Sequence, residues 1–154
     1  RLSDFLRYTL AGREAKTVKV SEEVQTARDY LAIEEVRFEE RIAVEVSVDP
    51  AAADERVPSF LLHSLVENAV KHGVPVGGRL SIGVTAGIRS GAVALEVTNS
   101  GTLAAGGNGG NVGLRNVRER LAAGDPGHHS FEIRQDGGLV RATILIFPLP
   151  GSGP

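Results

Sequence analysis

Leu62, Leu65, Val66 and Ala69 recur at three- and four-residue intervals and make one apolar face of a helix. Pro58 ahead of them and Gly73 behind are the residues expected at a helix start and stop, and predict a helix over 59–73. Ser64, Glu67, Asn68 and Lys71 fall on its opposite face. Elsewhere the period is two. Residues 42–48, 80–86 and 93–97 alternate as strands, with Asp49-Pro50 closing the first and Ser90-Gly91 turning between the second and third. The third delivers Asn99 at its end, in an Asn99-Ser100-Gly101 turn. Residues 131–133 predict a short fourth strand. Asp136-Gly137-Gly138 predicts a hairpin turn into 139–147, the longest run, apolar on both faces and so expected at the centre of the sheet.

Helices flank this pattern. Leu2, Phe5, Leu6 and Leu10 share a face, and residues 1–12 read as the end of a helix stopped by Gly12. Ser21, followed by Glu22 and Glu23, resembles a cap with acids in the first turn, and predicts a helix to about Phe38. Val24, Ala27, Leu31 and Val36 lie roughly on one side of it. Its charge-rich character admits two readings: a helix packed on its own domain, or a dimer-facing or signal-transmitting element. Glycines from Gly106 to Gly113 run into an amphipathic helix ending near Leu121. Strands in hairpins with a few helices predict an α+β two-layer sandwich, a mixed sheet covered on one face by helices.

Composition narrows the classes. A length of 154 residues suits one domain plus an extension, and a 42% hydrophobic share supplies a core. A net charge of −2 gives nucleic-acid binding no electrostatic support. With no cysteine there is neither a disulfide framework nor a thiolate metal site. No apolar run is long enough to cross a bilayer, and no signal peptide is recognisable. A start at Arg1 with no methionine reads as an excised fragment, whose missing part has room for a membrane anchor.

The chemistry gathers in three places. The polar face of the 59–73 helix holds a carboxylate, an amide and an ammonium, a set suited to a cation and the phosphates it bridges. A plain solvated face is the competing reading, and this helix alone does not choose. A neutral amide oxygen such as that of Asn68 suits a hard cation already bound to triphosphate. A glycine loop ahead of a helix N-terminus suits phosphate, because backbone amides approach closely and the helix dipole favours an anion; glycine runs are also ordinary linkers.

Taken in order, these stretches resemble the ATP-binding domain of the GHKL superfamily, specifically the LytS-like sensor histidine kinases. Residues 65–73 (Leu65-Val66-Glu67-Asn68-Ala69-Val70-Lys71-His72-Gly73) resemble the N box, Asn99-Ser100-Gly101 the first glycine box, and 109–121 the second. Leu6-Arg7-Tyr8-Thr9-Leu10 and residues 30–38 resemble the segment joining the dimerisation region to the ATP domain.

The resemblance implies the Bergerat fold, with 1–40 as the end of the dimerisation region, 41–150 as the ATP-binding catalytic domain and 151–154 as a tail. It implies ATP and Mg²⁺ as cofactors and transfer of the γ-phosphoryl to a histidine in a dimerisation region upstream, then to a response-regulator aspartate. Its partners are that acceptor domain of the same protein, a response regulator, and a second copy when full-length. The location implied is cytoplasmic, with the full protein free to carry a membrane anchor. The implied catalytic residues are Glu67, Asn68 and Lys71, with Asn68 on the metal. The implied nucleotide contacts are Asn68, Lys71, His72, Asn99, Gly101, Gly109, Gly110, Gly113, Leu114 and Asn116, with Arg115 a further candidate on phosphate. Residues 106–110 are expected to form a lid. Arg118, Glu119 and Arg120 are expected on a solvated face.

Three positions depart from the commonest GHKL pattern. Ser64, beside His63, stands one turn before the metal-binding Asn, where many members have Glu or Asn. Asn99 stands where many have an Asp that accepts from the adenine amine, and a neutral acceptor is weaker than a charged one. Asn111 replaces the middle glycine of the second box. None of the four histidines fits the phosphoacceptor, since His63 and His72 lie on the N-box helix and His128-His129 in a distal turn. A GHKL protein-serine kinase of the anti-sigma type, and a nucleotide-sensing or docking module without chemistry, are the alternatives.

Overall fold

The computed structural model describes residues 17–103, 112–124 and 128–148. The expectations for residues 1–12, for the 106–110 lid with Gly109, Gly110 and Asn111, and for the 151–154 tail lie outside the described residues.

Strand β1 (Thr17–Lys19) pairs antiparallel with β3 (Arg56–Pro58), Val18 opposite Val57. The first helix, α1 (Val20–Phe38), starts directly from β1, with Lys19 at its N-cap and no side-chain cap bond. Ser21 is therefore inside the first turn and does not cap it. The leading amides are satisfied from the loop before β3, Val20 N–H donating to Glu55 O at 2.8 Å and Ser21 N–H to Ala53 O at 3.0 Å. Val20, Val24, Ala27 and Leu31 are buried, whereas Val36 is 80% exposed and off the apolar side to which the periodicity assigns it. The helix ends at Glu39, whose φ of 58° leaves the helical region.

β2 (Ile42–Val48), β4 (Leu80–Arg89), β5 (Ala92–Ser100), β6 (His129–Asp136) and β7 (Leu139–Ile146) form one sheet in the order β2-β4-β5-β7-β6. Among the described strands only the β2–β4 pair is parallel; the crossover between them carries β3 and α2 (Leu61–His72). The third helix, α3 (Val112–Gly124), follows β5. The central strand is β5, not the 139–147 run, and the longest is β4 with ten residues. The fourth strand is eight residues long and begins at His129, so His129 opens a strand where a turn was expected. β5 likewise runs through Asn99 to Ser100. Ser90 and Gly91, at φ 52° and 82°, turn β4 into β5, and Gly137, at φ 62°, turns β6 into β7.

The register aligns Val84, Val97 and Ala142 in one row and Ala86, Leu95 and Ile144 in the next. These rows share one hydrophobic cluster with Leu31 of α1, Leu62, Leu65 and Val66 of α2, and Leu114, Val117 and Leu121 of α3. The fold is thus the expected α+β two-layer sandwich, helices on one face of a mixed sheet. α1 contributes to that same core, so residues 17–38 and the sheet are one folded unit.

The opposite sheet face is polar. Glu96, buried on β5, is bound there by the Arg141 guanidinium (2.5 Å) and the Thr143 hydroxyl (3.0 Å), with Arg89 at 3.6 Å. A groove of about 440 Å³ runs over this face between Glu45, Thr98 and Arg141. It includes none of the described residues of the three candidate boxes.

Candidate functional site

α2 carries the first candidate group. Leu61, Leu62, Leu65, Val66, Ala69 and Val70 are buried in it, a stripe wide enough to face a sheet and two helices. Lys71 and His72 sit in its last turn, where cations suit the negative end of the helix dipole. Both are exposed, as is Glu67, and Asn68 is half-buried. Ser64 is not on this exposed face. It is 7% exposed, and its hydroxyl donates to Phe60 O at 3.0 Å. His63 is also buried, at 2% exposure. Pro58 lies in β3 and does not open the helix; α2 begins three residues later, after Phe60 in the left-handed conformation (φ 70°).

The C-terminus of α2 meets the end of β5. Gly73 N–H donates to Ala69 O at 2.8 Å. A Cβ on Gly73 would come within 2.6 Å of Ala69 O and of Leu80 Cδ1, and 3.4 Å from Asn99 Cβ, so only glycine allows this approach. The next residue, Val74, donates its N–H to Ser100 O at 2.9 Å, and the Ser100 hydroxyl donates to Val74 O at 2.8 Å. Gly101, at φ 125°, packs so closely on Val74 that a Cβ would lie 3.0 Å from Val74 N. Its own N–H donates to Gly138 O, and Gln135 Nε2 donates to its carbonyl. Asn99 is 7% exposed and donates from Nδ2 to Ser100 O at 3.1 Å. The fold therefore stitches the Asn99-Ser100-Gly101 segment to the end of the helix that carries Glu67, Asn68 and Lys71.

α3 lies along α2. Gly113 falls in its first turn, and Arg115 and Asn116 are exposed. Leu114 is buried at 2% and packs in the core. Arg118 and Arg120 are not simply solvated. Arg118 stacks over the Phe131 ring at 4.8 Å, and Arg120 over Phe60 at 5.2 Å while reaching Ser59 O at 3.3 Å.

Comparison with known proteins places this geometry. A family model described as histidine kinase matches residues 1–42. The sensor protein LytS of Enterococcus faecalis is 39% identical over 72 residues, 47% of this chain; the chain spans 12% of that protein's length. The catalytic domain of histidine kinase ThkA, in a nucleotide-free form, superposes with a TM-score of 0.65 at 16% identity, covering 84% of this chain and 92% of that one. ThkA in complex with the response regulator protein TrrA superposes with a TM-score of 0.60 at 15% identity, covering 99% of this chain and 49% of that one. The fold is that of histidine kinase catalytic domains. The likeness to LytS holds in sequence over about half of this chain, and the fold is shared with solved histidine kinase catalytic domains.

Next to Ser64 on α2 lies the buried His63. Its Nε2 lies 3.1 Å from Glu67 Oε2, its ring is edge-on to Tyr30 at 5.1 Å and tilted against Phe60 at 4.5 Å. Burial lowers its pKa, opposed by the charge of Glu67 and by their hydrogen bond. Burial, with the charges of Glu34 and Glu67, pushes the Tyr30 phenol well above its ordinary range. A histidine between Leu62 and Ser64 gives no sign of this, because its partners come from α1 and from one turn ahead.

The lowered pKa has a consequence for stability. Below the ordinary imidazole value of about 6.5 the unfolded chain takes up a proton that folded His63 resists. The contribution of neutral His63 is thus present above that pH and is lost as pH falls toward the folded-state value. Urea midpoints at pH 7.5 and 5.5 should fall further for the wild type than for His63→Gln. Equal pH dependence of the two would show that His63 titrates alike in both states.

Proposed function

We propose that this chain is the ATP-binding catalytic domain of a two-component sensor histidine kinase. The observation that carries the reading is the junction of α2 with the end of β5, which brings the N-box-like helix and the Asn99-Ser100-Gly101 segment together through Gly73, Val74 and Ser100. Bound Mg-ATP supplies the γ-phosphoryl group and the cation that neutralises its charge. The donor set suits that cation. Among the described residues no three His, Asp or Glu side chains converge as a metal cage, and Mg²⁺ on nucleotide keeps several waters and needs only one or two protein oxygens. Asn68 would supply one of them.

Lys71 and His72 would face phosphate from the last turn of α2, and Gly113 and Asn116 from α3; Gly109 and Gly110, which the resemblance also assigns to the nucleotide, lie outside the described residues. Asn99, whose Nδ2 is held by Ser100 O, would present its carbonyl oxygen to the adenine amine, and Gly101 would admit the base edge. Glu67, held by His63, would stand beside the reacting phosphoryl. A histidine nucleophile is neutral imidazole, so Glu67 need only orient and does not have to generate the nucleophile. The acceptor histidine belongs to a dimerisation region of the same protein, and the product phosphohistidine passes to a response regulator in the cytoplasm. No described helix is long and apolar enough to cross a membrane.

Calorimetric titration tests the reading. Saturable ATP binding is expected in Mg²⁺, weakening in EDTA, and adding the acceptor segment should give an acid-labile, base-stable phosphohistidine on that segment. No heat of binding at millimolar Mg-ATP would refute the assignment.

A further inference from the structure

A helix leaves its first N–H groups without intrahelical partners, and a side chain at its own N-cap ordinarily supplies the acceptor. α2 departs from this. Phe60 at its N-cap offers no side-chain bond. The acceptor comes from another helix: Glu23 of α1 takes the Phe60 N–H on Oε1 at 2.6 Å and the Leu62 N–H on Oε2 at 2.9 Å. Glu23 is only 1% exposed. A carboxylate that deep is tolerated where hydrogen bonds and a helix N-terminus replace its water. The contact is short, charge-assisted and two-pointed, so it fixes both the distance and the azimuth of one helix against the other.

A second contact lies farther along the same pair. Tyr30 of α1 packs edge-on to His63, and His63 holds Glu67, the neighbour of Asn68. α1 therefore grips α2 at its leading amides and again beside its polar face. α1 falls wholly within the segment matched by the histidine kinase family model, and α2 lies outside it.

We propose that Glu23 is a positioning residue, through which α1 sets the axial position of α2 and with it the placement of Asn68 and Lys71. The proposal rests on the reading of those two residues as the cation and phosphate contacts. Placement matters because an error of about 1 Å in a reacting or coordinating group costs on the order of a hundredfold. A displacement of α1 must either carry α2 along or break both amide bonds to Glu23. Coupling of this kind is reciprocal, so filling the site must also hold α1.

The test uses Glu23→Gln, which keeps the shape and replaces one acceptor oxygen by a donor, with Glu22→Gln on the exposed side of the same turn as control. Binding is measured well below the unfolding transition, in Mg²⁺ and in EDTA, alongside amide exchange. For Glu23→Gln we expect about tenfold weaker binding in Mg²⁺ and a change within about twofold in EDTA, in the usual range for coupled sites. A cap that merely stabilises the fold would not separate the two. Faster exchange should spread from Phe60 and Leu62 to Asn68 and Lys71. In the wild type, saturating Mg-ATP should slow exchange in α1 between Val20 and Leu31. Faster exchange confined to Phe60 and Leu62, or unchanged Mg²⁺-dependent affinity in the folded variant, overturns the proposal. If the wild type binds no nucleotide, the functional reading falls and the exchange pattern of Glu23→Gln decides the coupling. If that variant fails to fold, the wild-type response of α1 to Mg-ATP decides it.

Discussion

Asn68→Ala should abolish the difference between nucleotide binding with and without Mg²⁺. The cation on ATP holds phosphate oxygens and waters, and it touches the protein through few ligands. If Asn68 is the ligand from α2, its loss leaves the cation on the nucleotide but detached from the chain. The dissociation constant in Mg²⁺ should then rise about ten- to a hundredfold, or about 1.4–2.8 kcal/mol, toward the EDTA value. The Asn68→Ala chain should remain folded, since Asn68 lies outside the hydrophobic cluster. Asn68→Asp sharpens the experiment. Its added charge repels phosphate in EDTA, so it should bind more weakly than Asn68→Ala there and regain affinity in Mg²⁺. A full Mg²⁺ effect retained by Asn68→Ala would move the cation contact off this helix.

The positions behind that prediction were legible because their signals are local. The 3.6-residue stripe of α2, the alternation of residues 42–48 and the turns at Ser90-Gly91 and Gly137-Gly138 each depend on neighbours a few residues apart, and each stands in the structure. What was not legible depends on distant partners. Glu23 reads as an ordinary first-turn acid, and nothing near it announces amides 37 and 39 residues away. Centrality in the sheet is a matter of strand order. β5 carries Ala92, Ala94 and Glu96 on the face away from the helices, so it reads as less apolar than the 139–147 run. Arg141, from the neighbouring strand, is what makes the burial of Glu96 tolerable. Arg120 likewise reads as solvated until Phe60 is found beneath it.

The same contrast explains why Ser64 does not lie on the polar face to which the periodicity assigns it. A two-sided helix has room for polar residues opposite its apolar stripe, but α2 is covered by the sheet and by both other described helices. Its buried arc widens until it takes in Ser64, whose hydroxyl turns back to Phe60 O, and His63, which turns to Glu67. The exposed remainder is Glu67, Lys71 and His72, with Asn68 half-covered. The resemblance to LytS-like kinases assigned its nucleotide contacts on α2 to Asn68, Lys71 and His72, and that choice coincides with the residues the packing leaves outside the core.

Leu65→Ala should have the largest effect on stability. Leu65 is 1% exposed on the inner face of α2, in the cluster shared by the three described helices and the sheet. Truncation removes buried apolar surface and leaves a cavity that surrounding elements, pinned by the Glu23 cap at one end of α2 and the Val74–Ser100 stitching at the other, are poorly able to close. Poor collapse puts the cost in the upper part of the usual range of about 2–5 kcal/mol. Against a total of about 5–15 kcal/mol for a domain, that is a large share. At about 2–4 °C per kcal/mol for a chain of this size, the melting temperature should drop by roughly 10 °C. Leu65→Met, which nearly conserves volume, should cost less than about 1.5 kcal/mol. Urea unfolding of the two variants measures the difference directly. A loss below about 1 kcal/mol for Leu65→Ala would mean that α2 relaxes into the space. The two anchors at its ends would then not fix the helix, and Asn68 and Lys71 would lose the rigid support that the proposed site requires.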